Sequence, residues 1–77
     1  MNNIRETLTE CFSLVFPELP KDRIPSASID NVKEWDSVAQ INLLTVIGER
    51  FGIEIDYLAF VGASSFEAIA SQLAETI

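Results

Sequence analysis

The chain has 77 residues, 48% of them apolar, and twelve acidic against five basic side chains give it a net charge of −7. That length holds one domain, 1–77, with one core, and such a domain buries only roughly 60% of the surface its unfolded chain exposes, so a deep catalytic cleft is disfavoured. The acidic balance argues against nucleic acid, the short apolar runs argue against membrane insertion, and one cysteine with no histidine excludes an internal disulfide and triads built on an imidazole base.

The acids are scattered, and no Lys or Arg follows Arg50. Such a surface favours solubility and attracts basic proteins. The N-terminus has neither a basic region nor an apolar run of the kind that directs export, so the expected location is the cytoplasm. A metal site would have to consist of carboxylates alone, and no calcium-loop spacing is present, so no metal is expected.

The first helix is predicted over 3–16, because Ile4, Leu8, Cys11, Phe12, Val15 and Phe16 share one face of a 3.6-residue period. Asn3 with Glu6 resembles a capping box at its start, and Pro17 stops it. Cys11 lies on the apolar stripe and is expected in the core.

Residues 17–36 carry no sustained period. Pro17, Pro20 and Pro25 with Ser26 and Ser28 mark a long loop, which Leu19, Ile24, Ile29, Val32 and Trp35 would pin to the core, with a helical turn near Asp30 to Lys33.

The second helix is predicted over 37–51, with Asp36 as N-cap and Gly52 as the left-handed residue beyond its end, so that Ile53 packs on Ile47. Arg50 complements the helix dipole in the last turn. On a helical wheel Leu43, Ile47, Phe51, Leu44, Gly48 and Ile41 form the core arc. Val38 falls between Thr45 and Glu49 on the polar side and is expected to be exposed. Gly48 in mid-helix costs about 1 kcal/mol relative to Ala and points to a close approach by another backbone or by cargo. A short third helix is predicted over 57–61. The last, over 65–77, opens on the capping box Ser64-x-x-Glu67 and carries Phe66, Ile69, Ala70, Leu73, Ala74 and Ile77 on one face. The fold class is all-α, a small helical bundle with one long crossing loop.

The stretch Trp35-Asp36-Ser37-Val38 puts a serine in the first turn of a helix just after a long loop. Free N–H groups and a partial positive charge there favour an anion. With the run to Glu49-Arg50-Phe51-Gly52-Ile53-Glu54-Ile55, this stretch resembles the acyl carrier protein family, in which an Asp-Ser-Leu motif opens the second helix. The resemblance covers nearly the whole chain and implies a free-standing four-helix carrier that is not an enzyme. By that resemblance Ser37 receives 4′-phosphopantetheine from coenzyme A through a separate phosphopantetheinyl transferase, and partner enzymes load and remove acyl groups as thioesters. Asp36 is carried over as the motif acid and helix cap, Val38, Asn42 and Glu49 as partner contacts, and Leu44, Ile47, Phe51, Leu58 and Ile69 as an acyl cleft that is otherwise simply core. Nothing calls for more than a monomer.

The sequence departs from the family pattern in two places. Val38 stands where the motif has Leu, and Glu49 is the only acid between Val38 and Phe51, where fatty-acid-synthesis carriers usually have several. The second departure points away from general fatty acid synthesis and towards a dedicated pathway such as polyketide chemistry. Two other functions stay open: a peptidyl or aryl carrier, whose usual Gly-Gly-x-Ser motif is absent, and a helical interaction module that is never modified.

Overall fold

The structure, a computed structural model, describes residues 3–76. Helix α1 spans Asn3–Val15, α2 spans Ser37–Phe51 and α3 spans Phe66–Thr76, and a 3-10 helix occupies Lys21–Ser26. The fold is all-α, with no strand among the described residues and one isolated bridge between Ser28 and Ser65. The Asn3 side chain, which would open the capping box, and Ile77 lie outside the described residues.

Helix α1 is the hub. Leu8, Cys11 and Phe12 are fully buried, and the face they form packs against α2, α3 and the 3-10 helix. It ends one residue before the expected limit, although the Phe16 N–H still donates to the Phe12 carbonyl at 2.7 Å.

The loop is fastened mainly by the residues expected to hold it. Ile24, Val32 and Trp35 are buried and Leu19 is half-buried. Trp35 meets the Phe12 ring edge-on at 5.4 Å and the Phe16 ring at 5.7 Å, and Phe12 meets Phe66 of α3 at 5.3 Å. This aromatic cluster ties the loop to two helices. The expected turn forms slightly earlier, where the N–H groups of Asn31 and Val32 both donate to the Ser28 carbonyl. The 3-10 helix was not foreseen, because only Ile24 of its six residues is buried and one buried side chain leaves no period to read. Ile29 ties the loop through its backbone and not through its side chain, which is 48% exposed: its N–H donates to the Ser64 carbonyl.

Helix α2 has both predicted ends. The Asp36 carboxylate accepts from the Ala39 N–H at 2.9 Å, and Gly52 is left-handed at φ 68°. The N–H groups of Gly52 and Ile53 both turn back to the Gly48 carbonyl, which satisfies an otherwise unpaired helix end. Leu43, Leu44 and Ile47 are buried and Phe51 is half-buried, as the wheel predicts. Ile41, at the edge of the arc, is 56% exposed.

Residues 57–61 do not form a regular helix. Ala59, Phe60 and Val61 donate three residues back at 2.9, 3.2 and 3.3 Å, a run of turns capped by the Asp56 carboxylate on the Leu58 N–H. A segment this short cannot offset the cost of nucleating an α-helix, and only Phe60 of its five residues is buried. The N-cap of α3 is Ser65 instead of Ser64: its hydroxyl accepts from the Ala68 N–H and its carbonyl accepts from Ile69. The Phe66 N–H is taken by the Ala27 carbonyl, and Glu67, freed from capping, pairs with Arg5 at 2.8 Å.

A Cβ on Gly48 would lie 3.1 Å from the Ile55 side chain and 3.2 Å from the Ile53 carbonyl oxygen. The backbone approach inferred from the sequence is therefore present. Gly48→Ala gains about 1 kcal/mol of helix propensity but loses about 2 kcal/mol to overpacking against the Ile55 side chain and the Ile53 carbonyl, whose residue is tied to α2 by its own N–H on the Gly48 carbonyl. Urea unfolding should show a net destabilisation of about 1 kcal/mol.

Candidate functional site

Ser37 owes its position to the residues on either side of it. Trp35, 2% exposed, fixes the incoming chain, Asp36 turns it, and Ser37 becomes the first helical residue of α2 with its side chain in solvent. The Ser37 hydroxyl has no hydrogen-bond partner among the described residues. It stands where the free N–H groups and the positive end of the α2 dipole favour an anion.

The Trp35 indole N–H donates to the Gln40 side-chain oxygen at 2.6 Å. Because an indole can only donate, the Gln40 oxygen must face it, and the Gln40 amide nitrogen then donates to the carbonyls of Phe60 and Ala63 at 3.4 and 3.3 Å. One side chain thus spans from α2 to the chain before α3. Phe60 and Ala63 are buried on the far side of this bridge.

Between α2 and that segment lies a cleft of about 350 Å³ that Asp36 and Ser37 help to line. Its walls include Ile29, Ile41, Leu44, Tyr57 and Val61. The volume is at the small end of the roughly 300–1,000 Å³ typical of ligand pockets, and the walls are apolar in the usual way.

Of the side chains expected to line an acyl cleft, only Leu44 does so. Ile47 and Ile69 are fully buried in the core, Phe51 packs at its edge, and Leu58 is 82% exposed and lines no part of the cleft. Ile47, Phe51 and Ile69 are core, the other role open to them, and the run of turns buries Phe60 and leaves Leu58 in solvent, so none of the four occupies a place along the cleft wall. Ile29, Ile41 and Val61 take those places. Ile29 and Val61 lie in segments with no period, so their side could not be read from the sequence. Gln40 carried one usable signal: a buried tryptophan needs an acceptor for its N–H, and Gln40 lies five residues on. Val38, Asn42 and Glu49 are exposed on α2, Val38 at 66%.

Burial pushes the Cys11 thiol up to about 11, so it is a poor nucleophile at neutral pH. Among the described residues, no group of acids, Cys or His could hold a metal ion. Among the described residues, no helix is long and apolar enough to cross a membrane. No protein-family model, curated protein or solved structure matches the chain.

Asp36→Ala removes the cap without touching the core. It should cost about 1 kcal/mol of stability, with amide hydrogen exchange accelerating most at Ala39.

Proposed function

We propose that this chain is an acyl carrier protein, with 4′-phosphopantetheine attached through a phosphodiester to Ser37. The observation that carries the proposal is a solvent-exposed, unpartnered serine hydroxyl at a capped helix start, opening onto an apolar cleft. The residues present suit the group. The N-terminus of α2 favours the phosphodiester charge, Asp36 holds the helix start in register, and no side chain obstructs the hydroxyl.

When bound, the arm would supply a thiol on which an acyl group is held as a thioester. This chain's residues do the rest. Ser37 anchors the arm, Val38 offers an apolar contact beside the anchor, and Ile41, Leu44 and Val61 offer an apolar surface that shields cargo from water. The absence of histidine is consistent with bond-making being left to partner enzymes.

Glu49 is the only acid on α2, and Ile41 adds to the exposed apolar surface beside Val38. A partner docking here meets an apolar, weakly charged face, which favours a dedicated biosynthetic pathway over enzymes that dock through basic patches. The same exposed side chains favour a second reading, an interaction module that is never modified.

Intact-protein mass spectrometry after incubation with coenzyme A and a broad-specificity phosphopantetheinyl transferase separates these two. A gain of one phosphopantetheine, lost in Ser37→Ala, is the expected result, and an unchanged mass in folded protein would favour the interaction module. Loaded protein offered to a general fatty acid synthase should be extended more slowly than that system's own carrier. Equal rates would remove the case for a dedicated pathway.

A further inference from the structure

The groove between α2 and the segment leading to α3 does not end at the cleft beside Ser37. A second hollow of about 260 Å³ continues it towards Gly48, Ile53 and Ile55. The two hollows share only Leu44 and Tyr57. Leu44 is 2% exposed on a helix and is fixed by packing. Tyr57 is 48% exposed, sits on a run of turns, and reaches across to α2 with its hydroxyl 3.4 Å from the Thr45 hydroxyl. Thr45 spends its own hydrogen on the Ile41 carbonyl at 2.9 Å, so Tyr57 is the donor in that contact. A half-exposed ring on a run of turns is a wall that can be moved.

We propose that the Tyr57 ring is the stop that sets how long a linear apolar chain the cleft beside Ser37 accepts. A short unbranched alkyl or acyl chain entering at Ser37 runs along Ile41, Leu44 and Val61 and ends against the ring. A longer chain must push Tyr57 off Thr45 to reach the hollow at Gly48. As a selector of cargo the stop rests on the carrier function proposed above, whereas the division of the groove by Tyr57 stands without it.

The test avoids the transferase altogether. Ser37→Cys is treated with alkyl methanethiosulfonates of increasing chain length, which attach each chain to residue 37 as a mixed disulfide. Cys11, fully buried and with its thiol pushed up to about 11, is spared at neutral pH, and mass spectrometry verifies a single addition. The unfolding temperature should rise with each added methylene and then level off once the chain reaches Tyr57. In Tyr57→Ala the rise should continue to longer chains, and in Tyr57→Phe, which keeps the ring, it should level off where it does with Tyr57 intact.

A purely structural role for Tyr57 would lower every unfolding temperature alike and leave the levelling-off length unchanged, which overturns the proposal. So does an unfolding temperature that ignores chain length in all three proteins, or a Tyr57→Phe protein that behaves as Tyr57→Ala does. Failure of the carrier function reads separately, as no phosphopantetheine gain on Ser37 whatever the alkyl series shows.

Discussion

The site depends on burying one tryptophan with its indole N–H satisfied. Trp35 lies among Phe12 and Phe16 with its N–H on Gln40, and it immediately precedes the cap of α2. Its apolar body fastens the loop to α1, and its polar edge fixes which way the Gln40 amide faces. Gln40 in turn holds the Phe60 and Ala63 carbonyls, which sets how closely that segment approaches α2. The start of α2, the position of Ser37 and the width of the cleft therefore follow from a single buried contact and its hydrogen bonds.

The rest of the scaffold is arranged around α1. Arg5 reaches α3 by a two-pronged contact with Glu67 at 2.9 and 2.8 Å while its guanidinium lies 5.2 Å over the Phe66 ring. Hydrogen bonding from Arg5 holds the Glu67 carboxyl below its ordinary value. Arg50 makes a looser contact with Glu10 at 3.1 Å. Both ion pairs are exposed, so they help to set which faces meet and contribute little to stability beside the aromatic cluster. The isolated bridge adds a backbone tie: Phe66 to Ala27 and Ile29 to Ser64 hold the loop against the start of α3.

A fold this small puts its functional features at the surface. The serine, the apolar side chains beside it and the cleft all lie along one edge of α2, where a partner could reach them together. The interior is occupied by Leu43, Ile47, Phe60 and Ile69, each fully buried, so under the carrier function proposed above cargo could enter it only by displacing packed side chains. A cleft at the margin of the core avoids that displacement.

What the sequence alone determined was whatever local chemistry specifies. The face of α1, the Asp36 cap, the Gly52 end of α2, the exposure of Val38 and the close approach at Gly48 could all be read from period, capping and glycine. Ser37 at the helix start followed from the same rules. Only the tertiary structure decided which side chains border the cleft, because Ile29, Ile41, Tyr57 and Val61 lie in aperiodic segments or at the edge of an arc, where distant packing sets their orientation. It also moved the cap of α3 from Ser64 to Ser65 through a backbone bond to Ala27, thirty-odd residues away in sequence. The third helix dissolved into turns for a related reason: Phe60 is drawn into the core while its carbonyl is held by Gln40, and a five-residue segment is too short to resist.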